Sequence, residues 1–437
     1  MNEPTRELFW SLDGTQILLF YLGAALAGGV FLAGCWRLFD RYRRARRLPS
    51  LPDLRAGLGR ALVDVLSQRT VRRRDALAGW AHTAVFAGYL IGAIGTAVIT
   101  VEYDFLAPLF DIRFWRGDFY LWYSLILDLG HLGLTVGLLV LIGRRLLLRP
   151  AKLDYRRRYR GERERRPAAR RWWLEDWGFL LFLLAVEITG FLLEGARLLM
   201  EQPAWVAWSP VGRAVAALLA AAGMDGPAAS SFRAVLWWLH GALALGFTAA
   251  IPWYKARHML LAVGSLAVRD RNALRRLPRE PEEASEAGIG GTGDLTWKDL
   301  LDLDACTRCG RCHEACPART VGAPLSPRDL VLDLGDAVRR QGPIDLAGGT
   351  IAAETLWSCM CCGACQEICP VGIEHPPLVV RMRRRLVERD ELDPLLRTTL
   401  DQVANTGNSF GENPRKRGHW TRELEFRVKD LRREPAE

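Results

Sequence analysis

Cys306-Thr-Arg-Cys309-Gly-Arg-Cys312-His-Glu-Ala-Cys316-Pro317 and Cys359-Met-Cys-Cys362-Gly-Ala-Cys365-Gln-Glu-Ile-Cys369-Pro370 repeat one pattern, C-x2-C-x2-C-x3-C-P. The short spacing lets a single loop wrap three corners of an iron-sulfur cube, and the proline ends that loop before a helix. In runs of this kind the fourth cysteine ligates the other cluster. The expectation is therefore two [4Fe-4S] clusters with crossed ligation, one on Cys306, Cys309, Cys312 and Cys369, the other on Cys359, Cys362, Cys365 and Cys316. Zinc also accepts four thiolates, but its ribbons pair two C-x2-C knuckles and have no use for a third and fourth cysteine at this spacing. Cys361 reads as a packed thiol and Cys35 as an apolar filler.

Nine of the ten cysteines lie in these two runs, a pattern of metal ligation that belongs in a reducing compartment. The chain before about residue 270 is different. Five segments approach the ~20 apolar residues that a helix needs to cross a bilayer: Ile17 to Trp36, Leu77 to Val101, Phe119 to Ile142, Trp177 to Met200 and Ala234 to Trp253. Trp115, Tyr120, Trp177, Trp237 and Trp253 gather at their edges as an interfacial belt does. The stretches Arg37 to Arg74 and Arg144 to Arg171 are dense in arginine, whereas Glu102 to Asp118 and Glu201 to Arg233 are not. The charge rule then puts the first pair in the cytoplasm, the amino terminus outside, and the cysteine-bearing end in the cytoplasm after five crossings.

This topology accounts for the net charge of +10 without nucleic acid, since the arginines sit between apolar spans and form no single basic domain. Met1 to Gln16 carries Glu3, Arg6, Glu7 and Asp13 with no basic start, so no cleavable signal is expected. The 437 residues divide into an outer segment 1–16, a membrane domain 17–268, a linker 269–293, a two-cluster domain 294–404 and a tail 405–437. The linker is rich in Glu, Gly, Arg and Pro without apolar periodicity. Pro377 to Val403 reads as an amphipathic helix, and the polar tail as extended over a partner or disordered.

Three histidines stand at membrane depths that suit haem. His82 opens the second span, His240 lies in the outer half of the fifth, and His258 follows its cytoplasmic end. Eighteen residues are five turns, so His240 and His258 would share one face ~27 Å apart, with Pro252 interrupting the ladder between them. His82 and His258 at the same level would bind a six-coordinate b haem, and Lys255 and Arg257 could pair with its propionates. His131 on the third span is the partner left for His240 if a second haem is present. Asp128 and Glu187 are ionisable groups in hydrocarbon and thus candidates for proton delivery to a quinone; Glu194 and Arg197 read equally as such groups or as an internal ion pair.

Several stretches resemble the membrane-bound electron-transfer-flavoprotein:menaquinone oxidoreductases, within the wider heterodisulfide-reductase-related iron-sulfur proteins. They are Phe119-Tyr-Leu-Trp-Tyr-Ser-Leu-Ile-Leu-Asp-Leu129, Thr189-Gly-Phe-Leu-Leu-Glu-Gly195, Trp237-Trp-Leu-His240, Ile251-Pro-Trp-Tyr-Lys-Ala-Arg-His258, Leu295-Thr-Trp-Lys-Asp-Leu-Leu-Asp-Leu-Asp-Ala-Cys306 and Cys369-Pro-Val-Gly-Ile-Glu-His375. The membrane part also resembles the gamma subunit of respiratory nitrate reductase. That likeness implies two b haems between the second and fifth helices, with His82 and His258 on the cytoplasmic-side haem and His240 on the outer one. The sequence departs at the remaining outer position, ten residues beyond His82, where Gly92 stands. It also lacks the family's long cysteine-rich CCG domains, which implies that a separate CCG-domain iron-sulfur subunit supplies them.

The fold expected is mainly α: a five-helix transmembrane cytochrome b bundle followed by an α-helical, two-cluster ferredoxin-like cytoplasmic domain. The function expected is a membrane subunit of a quinone-linked oxidoreductase, carrying electrons from a cytoplasmic flavoprotein through the clusters and haem b to menaquinone. Two rivals use the same parts: menaquinol oxidation feeding a heterodisulfide or sulfur-compound reductase, and a cytochrome anchor without its own quinone site.

Overall fold

The computed structural model describes every residue except 1, 2, 11, 49–52, 74, 156, 160, 161, 165–168, 281–285, 341, 432, 433 and 435–437. Parts of the arginine-rich loops, the expected linker and the tail thus lie outside the described residues.

Among the described residues four helices are long and apolar enough to cross a membrane: Gly14–Arg44, Ala76–Phe110, Gly117–Leu148 and Ala169–Glu201. Asp13 starts the first with a capping box, accepting from the Gln16 N–H at 2.8 Å while the Gln16 side chain bonds back to the Asp13 N–H. Arg41, Arg43 and Arg44 fill its last turn, where cations suit the negative end of the helix dipole. Apolar side chains such as Leu26 and Leu32 stay exposed on the outside of the bundle, as lipid-facing residues do. The second and third spans approach through small residues: a Cβ on Gly88 would lie 2.4 Å from the Gly130 carbonyl oxygen, and one on Gly137 2.6 Å from that of Ala81.

The fifth span departs from the expected straight helix. Gly226–Ala250 ends at Ile251-Pro252, and the chain resumes as Lys255–Ala267 at an angle of 66°. Pro252 has no N–H to continue the ladder, so His240 and His258 stand on different helices and share no face. Among the described residues two further helices of more than ten residues lie between the spans, where loops were expected. Leu54–Ser67 is capped by Asp53, which accepts from the Ala56 N–H at 3.2 Å, and Pro210–Ala221 follows the fourth span. A two-stranded hairpin, Arg157–Tyr159 with Glu162–Glu164, adds the described β-structure of this half.

The cysteine-bearing domain has its own core of Leu295, Leu334, Leu346, Leu356, Met382 and Leu386, built on helices Trp297–Ala305, Pro327–Arg339 and His375–Glu388. Ile289 belongs to that core; it is fully buried, and its N–H donates to the Arg381 carbonyl at 3.0 Å. The expected linker therefore ends earlier than residue 293. Gly288 makes this entry possible, with φ +79° and space so tight that a Cβ would lie 2.1 Å from the Arg381 carbonyl oxygen. The single helix expected over 377–403 is two, His375–Glu388 and Pro394–Thr406, parted by a left-handed Asp390 and capped anew by Asp393. The tail carries a run of 3-10 turns over Pro414–Glu423 and leaves Phe410, Trp420 and Phe426 exposed.

The domain is seated on the membrane half by bonds from both sides. Thr70 Oγ1 donates to the Pro370 carbonyl at 3.2 Å, and the Arg311 guanidinium donates to the carbonyls of Thr70, Val71 and Arg73. Ser265 Oγ lies 2.8 Å from both Asp302 Oδ1 and the Val371 carbonyl. Arg41 and Tyr42, at the end of the first span, both bond Asp304.

Candidate functional site

The eight motif cysteines gather into two small cavities. Cys306, Cys309, Cys312 and Cys369 line one, and Cys316, Cys359, Cys362 and Cys365 line the other. These are the two crossed sets that the spacing predicts. Both loops take the same shape, with a left-handed residue before and after the second cysteine: Arg308 and Gly310 in the first, Cys361 and Gly363 in the second. Cys361 is thus the counterpart of Arg308 in the loop, and its N–H donates to Cys359 Sγ at 3.4 Å. The Ile373 N–H does the same for Cys369 Sγ at 3.4 Å.

The donor set fits cubane clusters. Among the described residues no three His, Cys, Asp or Glu side chains converge closely enough to hold one ion; each foursome is spread around a cavity, as corners of a larger group must be. Burial pushes the Cys369 thiol up to about 12 and the Cys359 thiol up to about 11, so both stay protonated until a metal displaces the proton. The buried Nδ1 of His375, at the wall of the first cavity, has no hydrogen-bond partner among protein atoms. Burial also lowers that imidazole to about 4, so it is neutral.

In the bundle, all four expected histidines have Nδ1 held by an oxygen. His82 Nδ1 is 3.1 Å from Gln68 Oε1, and His258 Nδ1 is 2.7 Å from the Lys255 carbonyl oxygen. Each such bond leaves Nε2 as the lone-pair nitrogen, the arrangement found at metal-ligating histidines. The two rings lie within electrostatic reach of each other. At the far end, His131 Nδ1 is 2.9 Å from Glu187 Oε2, and His240 Nδ1 is 3.1 Å from Thr189 Oγ1. A Cβ on Gly92 would stand 3.0 Å from His131 Nε2, so His131 reaches across to the position where the nitrate reductase likeness implies a second-span ligand. Gln68 and Thr189 were not legible as histidine partners; no spacing rule links residue 68 to 82, because the turn at Gln68 (φ +51°) sets that contact.

Lys255 and Arg257, expected on propionates, are instead engaged by carboxylates. Lys255 Nζ lies 2.6 Å from Asp176, and an Arg257 nitrogen lies 3.3 Å from Asp304. Asp176 collects Arg145 at 3.1 Å and Arg308 at 3.2 Å as well, and also bonds the Tyr155 hydroxyl. This cluster joins the first cysteine loop to the segment that holds His258. An acid beside Trp177 was its only sequence signal. Asp128 accepts the N–H groups of Val211 and Gly212 at 2.6 and 3.1 Å, which makes it a cap for Pro210–Ala221. Glu194 and Arg197 form the internal pair, at 2.7 Å, with Glu201 and Arg6 adjoining. Glu187 is buried, and its Oε2 meets His131 Nδ1 at 2.9 Å.

Residues 302–373 match the family described as 4Fe-4S dicluster domain. The chain is 29% identical over 412 residues to the EtfAB:quinone oxidoreductase of Syntrophomonas wolfei, which covers 84% of this chain and 54% of that protein. It is 37% identical over 159 residues to a probable membrane-anchored ferredoxin of Chromohalobacter salexigens, covering 30% of this chain and 24% of the relative. The chain is related to the iron-sulfur oxidoreductases. One subunit of the dihydromethanophenazine:CoB--CoM heterodisulfide reductase of Methanosarcina barkeri adds 32% identity over 109 residues, 22% of this chain and 27% of that one. The chain spans about half the length of the first of these relatives and less of the others. No solved structure matches it.

Proposed function

We propose that the chain is the membrane electron-transfer subunit of a quinone-linked oxidoreductase complex, working between a cytoplasmic flavoprotein and menaquinone. Its relation to an EtfAB:quinone oxidoreductase supports the flavoprotein and quinone ends. A separate CCG-domain subunit stands between the flavoprotein and the cluster domain, which faces the cytoplasm by the distribution of arginine. Cys306, Cys309, Cys312 and Cys369 hold one [4Fe-4S] cluster and Cys359, Cys362, Cys365 and Cys316 the other. His82 and His258 hold a b haem at the cluster-side end, and His131 with His240 a second at the far end. These groups supply one-electron chemistry between two-electron partners. Glu187, coupled to His131, supplies protons for the quinone.

The observation that carries the reading is the bridge Arg308–Asp176–Lys255, which fixes the first cysteine loop against the segment bearing His258. Cys362 is exposed in the second loop, so electrons enter there and leave through the first. The heterodisulfide-reductase relationship favours one alternative, menaquinol oxidation feeding a sulfur-compound reductase. Purification of the native complex tests both. A co-purifying flavoprotein and CCG subunit support the proposal, whereas a thiol-disulfide reductase without flavoprotein supports the alternative.

A further inference from the structure

A cavity of about 300 Å³ lies at the seam between the two halves, apart from both cysteine rings and the histidines. Its walls come from the helix Leu54–Ser67, the end of the helix His258–Ala267, the connecting segment 268–279 and the cluster domain. Arg60, Arg269, Arg271, Arg276, Arg279 and Arg381 border it. Five carboxylates stand on the same walls against seven cations. Asp53 caps its helix, Asp270 pairs with Arg276 at 2.9 Å, Asp299 pairs with Arg381 at 2.7 Å, and Asp302 and Glu374 share Lys298 at 2.6 and 3.2 Å. Arg60, Arg269, Arg271 and Arg279 have no carboxylate partner among the described residues. The buried Arg381, 7% exposed, also has an Nε without a hydrogen-bond partner. The cavity therefore presents an excess of positive charge.

The helix beside it has an unusual face. Gly57 and Ala61 are buried, Gly57 so closely that a Cβ would lie 2.0 Å from the Ala267 carbonyl oxygen. Leu54, Leu58, Leu62 and Leu66, one per turn, are all exposed. A soluble surface would not keep such a stripe uncovered. Nine residues separate this helix from the first span, whose own exposed Leu32, Trp36 and Phe39 lead toward it. An apolar stripe on one side of a helix at the end of a span, with Arg60 on the opposite side, has the composition of a helix lying in the headgroup layer.

We propose that this cavity binds the phosphate headgroup of an anionic phospholipid, with Leu54–Ser67 lying in the leaflet on the cluster-domain side. The leucine stripe seats the helix in the leaflet, and the headgroup is held by Arg60, on the helix's other side, with Arg271 and Arg279. Because the cavity is walled by both halves, a bound lipid ties the cluster domain to the bundle at a point distant from the Asp176 bridge. The proposal rests on membrane insertion of the bundle. A chain that fails to enter vesicles defeats that reading, whereas one that inserts without lipid preference defeats only the site.

The test uses the full chain, purified with its cofactors in detergent and titrated with phosphatidylglycerol, phosphatidylcholine or inorganic phosphate while thermal unfolding is followed. Phosphatidylglycerol should raise the unfolding midpoint, and the other two should not. Near a membrane each arginine contributes about fivefold to anionic lipid binding, so R60Q/R271Q/R279Q should weaken it roughly a hundredfold. The single variant Arg271→Gln, at an exposed position, should weaken it about fivefold with iron and haem contents unchanged; it carries the test if the triple variant does not fold. Equal responses to the two lipids, full replacement of the lipid by inorganic phosphate, or unchanged affinity in Arg271→Gln would each overturn the proposal.

Discussion

Arg308 of the first cysteine loop and Asp176 of the fourth span meet at 3.2 Å, with the Asp176 side chain wholly buried. Both residues are committed elsewhere too, Arg308 to Glu175 at 2.6 Å and Asp176 to Lys255 at 2.6 Å. A loop that wraps a cluster and a segment that positions a histidine are thereby parts of one charge network. Removing the single shared anion leaves Lys255 and Arg145 without their carboxylate and Arg308 with Glu175 alone.

Asp176→Asn should therefore destabilise the protein by about 3–5 kcal/mol, the usual cost of leaving buried charge uncompensated. Thermal unfolding of the detergent-solubilised chain measures it. A loss below about 1 kcal/mol would show that water reaches and screens the site.

Cys316→Ser should disturb the cluster held mainly by the second run, and Cys369→Ser the cluster held mainly by the first. The cavity linings assign the cysteines in that crossed way. Electron paramagnetic resonance of the reduced variants, read with iron and acid-labile sulfide analysis, distinguishes the two clusters. Intact protein should hold roughly eight iron atoms. Zinc without sulfide, or loss confined to the cluster of the mutated run, contradicts the assignment.

His82→Ala or His258→Ala should abolish the haem at the cluster-side end, since each removes one of two axial ligands. Gln68→Leu is a milder version of the same experiment. It removes only the acceptor of His82 Nδ1, and such outer partners are worth about 10–100-fold in metal affinity. Reduced-haem absorbance in folded protein checks all three. Unchanged spectra and unchanged haem retention would remove His82 and His258 from the site.

Removing residues 405–437 should leave iron, sulfide and haem contents as they are, because Phe410, Trp420 and Phe426 pack into no core. The same truncation should reduce recovery of the soluble partner subunits on affinity purification. Full recovery would show that the tail is not a docking element.

The grouping of the cysteines was legible because C-x2-C-x2-C-x3-C-P fixes the shape of both loops, down to the repeated left-handed positions at Arg308 and Cys361. The spans were legible from apolar length. The bend after Ala250 was only half legible: Pro252 marks a broken ladder, but the 66° turn depends on how Lys255–Ala267 packs against Leu54–Ser67 and the cluster domain. Roles of polar groups were read least well. Asp128 looked free for proton transfer, yet it caps a helix 83 residues away in sequence, and Lys255 found a carboxylate on the fourth span, 79 residues away. Contacts made across such separations leave no local pattern.

The central claim is that electrons pass in series between the cysteine-held clusters and the membrane haem. A double variant, C309S/C362S, that keeps its haem tests it by stopped-flow absorbance. The variant is mixed in turn with the reduced, co-purifying flavoprotein and with menaquinol. The account predicts that flavoprotein-driven haem reduction is lost while menaquinol-driven reduction stays at the rate of the unmodified protein. Rapid haem reduction by the flavoprotein in that variant would contradict it.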